Sequence, residues 1–466
     1  MPDLRDSVIA PRLMSGTSDD WQTEARRLLA LAWPVALVSL NWTLLQVTDI
    51  IVVGLTGTHE VAGFGASRAI MFITLVAAIG WLSGVLVTAS RADGAGDLAE
   101  TGQVLRRGLL LGSTIGLVGM ALLWLGADQA LRLLGVAEGV RPLAADVVRI
   151  MALAFPAQLL VIAASNFLEG ISQPRKVMAV NLTILPLNAV LAWALATGAL
   201  GLPQMGARGA ALATVISVWI GAALMIRSAR HTSAGRNRGA GSFSLSAWKA
   251  AMPGAWALAK FGLVPAISSA LELAGFSWLI ALSTQLGDVT THAFQIVFSI
   301  HNMTFSFALG LGSAAGVRVG NAVGEGVRQE ARRRTLIAAG LAAAVLGVLA
   351  VLLLLFGGVV GGLFPATVAV GPLAAAMFAI WAPFIVFDGL QVVFMFALRS
   401  LGDQVAAGLN AILSFFVITG ASGALLVAMG WGASALVWAS GLGMLAAAAL
   451  NGSRFWRVSS PARPRN

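Results

Sequence analysis

The sequence predicts an all-α polytopic membrane protein, with twelve transmembrane helices arranged as two parallel six-helix bundles. Composition, the length of the apolar runs and a repeat between the two halves carry that prediction. Apolar residues make up 58% of the 466-residue chain and charged residues only 11%, against about 25% charge in a soluble domain. Mean hydropathy is +0.86. Twelve spans of about 20 residues need about 240 apolar positions, and the chain holds about 270. No sizeable soluble domain fits beside them.

Taken in order, residues 1–27 are polar and mixed in charge, without a short apolar core ahead of a small-residue cleavage site. They read as a cytoplasmic tail and not as a signal peptide. Residues 28–227 form the N-terminal bundle, with spans near 28–55, 64–88, 104–125, 147–168, 177–200 and 209–226. Residues 228–252 contain the longest polar stretch, rich in Gly, Ser and Arg, and read as a cytoplasmic linker. Residues 253–452 form the C-terminal bundle, with spans near 261–282, 294–317, 336–363, 373–398, 405–429 and 433–450. A second cytoplasmic tail follows over 453–466. Pro34, Pro156, Pro186, Pro265 and Pro383 fall inside spans, where each frees a carbonyl and permits a bend.

Basic residues assign the loops to sides. With the N-terminus inside, 25 of the 30 Lys and Arg fall in inner segments, and only Arg132, Arg141 and Arg208 in outer ones. Cytoplasmic loops collect such charges, so both termini are expected in the cytoplasm, with the chain in the inner or plasma membrane. The net charge of +10 is then a topology signal, aided by anionic lipid, and predicts no nucleic-acid partner.

The halves look duplicated. GTHEVAGFGAS is matched by QLGDVTTHAFQ about 228 positions later, EGISQPRKVM by RSLGDQVAAG at about 230, and GARGAALAT by GWGASALVWA at about 223. Both halves start inside, so they are parallel repeats about an axis along the membrane normal. Carriers built this way bind substrate between the halves and expose it to each side by rocking.

Several chemistries are excluded. The chain has no Cys, so disulfides, thiolate nucleophiles and Cys-ligated metals are absent. Its four His form no HExxH pair, and none of its three Lys follows Gly, so there is no P-loop. No convincing nucleophile–base pairing suggests an enzyme, and no cofactor is expected.

Three acids stand inside spans: Asp49 in the first, Glu272 in the seventh and Asp388 in the tenth. An ionisable group at a span centre costs about 2.5–3.5 kcal/mol by insertion scales, so it seldom persists without a task. A proton, sodium or an organic cation can neutralise such a group, and competition among them at one site is the physical basis of antiport. The plainer alternative is a structural ion pair with Arg68 or Arg149, although both lie near span ends and can snorkel. The interior polar set also includes Asn41, Asn166, Asn181, Asn188, Gln295, Asn302, Gln391 and Asn410, most of which interhelical hydrogen bonding explains. Asn188, beside Pro186, is the best placed to line a cavity. His301, in the eighth span, is a candidate to titrate near neutral pH, but reads more readily as a hydrogen-bonded core histidine.

At these residues the chain resembles the multidrug and toxic compound extrusion family, in particular its NorM-like branch. PVALVSLNWTLLQVTDIIVVG, SALELAGF around Glu272, RVGNAVGE, and FDGLQVVFMFALRSLGD around Asp388 carry the likeness. The resemblance implies a V-shaped pair of bundles, working as a monomer, that exports organic cations and drugs in exchange for sodium or protons. It implies that Glu272 and Asp388 form the cation site, with sodium as a ligand if that is the ion, and that Asp49 tunes coupling or binds cationic substrate. Asn188, Gln391, Gln295 and Phe384 are the expected neighbours of substrate or cation. Phe384 stands where a Tyr is expected one turn before the acid, Phe294 where a polar residue is common, and Asn188 where some relatives place a second acid. A flippase for a lipid-linked precursor is the alternative, but its anionic diphosphate calls for a cavity lined by Arg or Lys.

Overall fold

The computed structural model describes residues 21–231, 238–364 and 368–460. Residues 1–20 and 461–466 of the expected tails and 232–237 of the expected linker lie outside the described residues, with Arg5, Arg12, Arg236, Arg463 and Arg465.

The first half forms α1 (Trp21–Gly54), α2 (Thr58–Gly94), α3 (Leu98–Leu133), α4 (Arg141–Ala152), α5 (Phe155–Gly170), α6 (Pro174–Thr197) and α7 (Gly206–His231). The second forms α8 (Leu245–Gln285), α9 (Asp288–Gly324), α10 (Arg328–Gly362), α11 (Val370–Trp381), α12 (Phe384–Leu401), α13 (Gln404–Ala428) and α14 (Ser434–Val458). Eleven of these are long and apolar enough to cross a membrane, and counting the pair α4–α5, bent by 46°, as one broken span makes twelve. Within α13, residues Ile412–Ile418 wind as a π-helix.

The helices outlast the apolar runs, and this moves three boundaries. α1 starts at Trp21, so the first tail ends before residue 27. α7 is described to His231 and α8 starts at Leu245, so both helices reach into the stretch expected as linker. α14 continues to Val458, into the second tail. A hydrocarbon layer of about 30 Å takes about 20 residues at 1.5 Å each. The remaining turns lie in the headgroup layer, where charged residues are tolerated in a helix and hydropathy no longer marks it.

The two halves correspond helix for helix, with a displacement of about 230 residues from α1–α7 to α8–α14. Even the interruption recurs: α4 stops at Ala152 and α5 starts at Phe155, while α11 stops at Trp381 and α12 starts at Phe384. Pro156 in the first turn of α5 and Pro383 at the cap of α12 suit those breaks, because proline cannot donate to the preceding turn.

The bundles meet along a seam in the half of the spans nearest the described termini, α1 against α9 and α2 against α8. Gly80 admits the backbone of Pro265 and Ala266, and its counterpart Gly310 admits Ala32 and Ala36. At the helix ends Gly94 faces the Asn321 backbone and Gly324 the Arg91 backbone. Glycine is required at these four places because a Cβ would meet main-chain atoms that cannot yield. Polar ties complete the seam. Arg318 donates to both oxygens of Glu24 at 2.6 and 2.7 Å, and Arg91 donates twice to the Ser400 carbonyl at 2.9 and 2.7 Å. Asn321 Nδ2 donates to the Ser90 carbonyl at 3.0 Å, and Ser313 Oγ donates to Glu169 Oε2 at 2.8 Å.

Candidate functional site

Each bundle encloses a carboxylate away from the seam. In the first, α1 carries Asp49 toward α6 and α7, and only 3% of it is exposed. Asn188 Nδ2 donates to Asp49 Oδ1 at 2.7 Å, and Thr214 Oγ1 lies 3.5 Å from Oδ2. Asn188 follows Pro186 within α6 and is itself buried. Arg68 is not the snorkelling residue expected at a span end. It turns inward, donates to the Gln46 carbonyl at 3.0 Å and acts electrostatically on Asp49 without pairing with it. Arg149 serves Asp146 instead, at 3.3 Å. Asn188 Oδ1 and Ser217 Oγ are buried without a hydrogen-bond partner. A carboxylate beside the unmatched amide oxygen of Asn188 is suited to an ammonium group, whose N–H donors would satisfy both.

In the second bundle, α12 carries Asp388 inward, with 3% of its surface exposed. Gln391, one turn on, donates from Nε2 to Asp388 Oδ1 at 3.3 Å. His301 of α9 places Nε2 3.4 Å from Oδ2. Four aromatic rings surround that imidazole: Phe276 at 5.1 Å, Trp381 at 5.4 Å, Phe305 at 5.8 Å and Phe298 at 5.9 Å. Glu272 of α8 is half-buried, and the charges acting on it are Asp388 and Arg399. Among the described residues no arginine lies within ion-pairing distance of Glu272 or Asp388, and no three His, Asp or Glu side chains converge as metal ligands.

Of the residues expected from the sequence, Asp49 and Asn188 come together, as do Asp388 and Gln391, with Glu272 near the second pair. Phe384 occupies the turn before Asp388, but its ring packs edge-on against Trp438 at 5.6 Å and over Gly441. Gln295 does not join the site. It is exposed, and six residues before His301 at 3.6 per turn set it about 120° around α9 from the imidazole. Sequence reasoning left out Thr214 and Arg399, and favoured for His301 a role in the core over one at the site. A signal for Arg399 was present in the repeat, where it aligns with Glu169, a buried cation at the place of an acid.

Comparison with known proteins extends this picture. The MatE family model matches residues 34–194 and 265–422. The chain is 30% identical over 419 residues to a protein of Rhodopseudomonas palustris named probable multidrug resistance protein NorM, covering 88% of this chain and 87% of that one. The crystal structure of the eukaryotic MATE transporter AtDTX14 superposes with a TM-score of 0.84 at 20% identity, covering 94% of this chain and 98% of that one. An outward-facing multidrug resistance MATE family transporter of the MOP superfamily gives 0.82 at 18% identity, over 96% and 100% of the two chains. At such identities the structural likeness speaks for the fold alone.

Proposed function

The chain belongs to the MatE family, and from that premise we propose that it is a secondary multidrug antiporter, exporting organic cations and xenobiotics in exchange for incoming protons or sodium by alternating access. One observation carries the reading: each bundle buries a carboxylate that is met by neutral or imidazole donors and not paired to an arginine. An acid locked to arginine has no vacancy for a passing cation. An acid held by Asn, Gln or His keeps its charge open to exchange.

In this mechanism Glu272 and Asp388 take up the coupling cation, while Asp49 and Asn188 contact the cationic cargo. Nitrogen groups face both Asp388 oxygens, which favours the proton, since sodium calls for oxygen ligands. The arginine distribution supports a plasma-membrane protein with cytoplasmic termini, so that the seam closes the cytoplasmic side. A flippase finds no support in the names of the relatives, and the buried carboxylates repel a diphosphate.

Proteoliposomes with a sodium or a proton gradient imposed alone test the reading. Glu272→Gln and Asp388→Asn are each expected to abolish gradient-driven efflux of a cationic dye while reaching the membrane at near wild-type levels. Full efflux by either variant, or by the wild type with both gradients collapsed, overturns it.

A further inference from the structure

Away from the transport path, one surface is shaped for a different ligand. Near the start of α10, residues 329, 332, 333, 336 and 337 recur at helical spacing and so share one face. With Trp21 of α1 that face forms a groove of about 520 Å³, lined by Trp21, Gln329, Arg332, Arg333, Leu336 and Ile337. The Arg332 guanidinium sits 3.4 Å from the centroid of the Trp456 ring on α14. Stacking fixes the group and leaves its N–H edges pointing outward. Arg333 is held in part by Glu330 at 3.4 Å, so Arg332 is the principal cation of the groove. Trp21 and Trp456 are both more than half exposed, as interfacial tryptophans are.

Depth determines what the groove meets. The 35 residues of α10 extend about 52 Å, against a hydrocarbon layer of about 30 Å. About seven residues at each end therefore stand in the headgroup layer. That places Arg332 and Arg333 among phosphates and Leu336 and Ile337 at the start of the acyl chains.

We propose that this groove binds one anionic phospholipid. Its phosphate lies against Arg332 and Arg333, and an acyl chain descends over Leu336 and Ile337. Charge complementarity selects the occupant, since a zwitterionic lipid offers the same tail without the net negative charge, and a free anion has no use for the apolar floor.

Native mass spectrometry of the purified full-length chain in equimolar phosphatidylglycerol and phosphatidylcholine tests this. The wild type is expected to retain phosphatidylglycerol preferentially, and Arg332→Gln to lose about fivefold of that retention with phosphatidylcholine unchanged. Added phosphatidylglycerol should raise the melting temperature of the wild type but not of Arg332→Gln, and Arg332→Lys, which keeps the charge, should lie between them. Equal retention of the two lipids by the wild type, or undiminished phosphatidylglycerol on Arg332→Gln, overturns the proposal. So does displacement of the lipid by millimolar inorganic phosphate, which would mark a free-anion site. None of these readouts involves transport, so they stand or fall apart from the antiporter reading.

Discussion

In the proposed exchange, the readiness of Asp388 to take up a cation follows from the company it keeps. His301 meets one oxygen and Gln391 the other, and the aromatic rings exclude water from the imidazole. Replacing His301 by Leu leaves a buried carboxylate oxygen without its neighbour, at a cost of about 1–3 kcal/mol. His301→Leu is therefore expected to slow gradient-driven efflux about tenfold or more, and His301→Gln, which can still donate, to slow it less. Initial rates in proteoliposomes decide between them, and equal rates would remove His301 from the site. Asp49→Asn should weaken equilibrium binding of a cationic dye about tenfold or more through loss of a charge-assisted contact, as read by fluorescence titration. The acids themselves were legible in the sequence, because a carboxylate inside an apolar run is conspicuous. Gln391 was legible too, one turn from Asp388 on the same helix. The contact between His301 and Asp388 was not, since it depends on how α9 and α12 align and no local pattern encodes that.

At the level of elements, the informative feature is the interrupted span, α4–α5 in one half and α11–α12 in the other. Asp388 is the fifth residue of α12, so the point at which the helix restarts after the break sets the direction in which the acid faces. Pro383→Ala restores a backbone donor there, and the expected outcome is an uninterrupted helix with unchanged or higher melting temperature but reduced efflux. Unchanged efflux in the face of raised stability would show that the break has no part in placing the acid. Hydropathy located every span, and the prolines marked both breaks as places able to bend. Helix ends were less visible. Glu24 looks like a tail residue in sequence, yet it is a buried part of α1 because Arg318 compensates it. The π turn in α13 had no sequence mark either; it sets the Phe415 carbonyl against Gly275 of α8, a contact between distant segments.

For the molecule as a whole, the seam decides which side is closed. The Glu24–Arg318 pair joins the bundles through two short hydrogen bonds, and breaking one partner of a buried pair is strongly destabilising. Glu24→Gln is therefore expected to favour the state in which the seam is parted. The chain has no native Cys, so Ser90→Cys would supply a single label site, fully buried beside Asn321. Maleimide labelling of Ser90→Cys from the side of the termini should accelerate about tenfold or more when Glu24→Gln is added, and an unchanged rate would deny the pair its role as a latch. The duplication behind this seam was legible from three short matches at nearly one displacement. Its contact points were not, because a glycine that admits a neighbouring backbone cannot be told from the many others in a Gly-rich chain.

The paired glycine contacts, Gly94 on Asn321 and Gly324 on Arg91, have one more consequence. Each is the image of the other under the rotation that exchanges the halves, so a hinge that frees one must release its twin in the same stroke. Half-parted arrangements lose the stabilisation of both contacts and gain nothing from either. A carrier working as proposed would then part this seam in a single step, both crossings opening together.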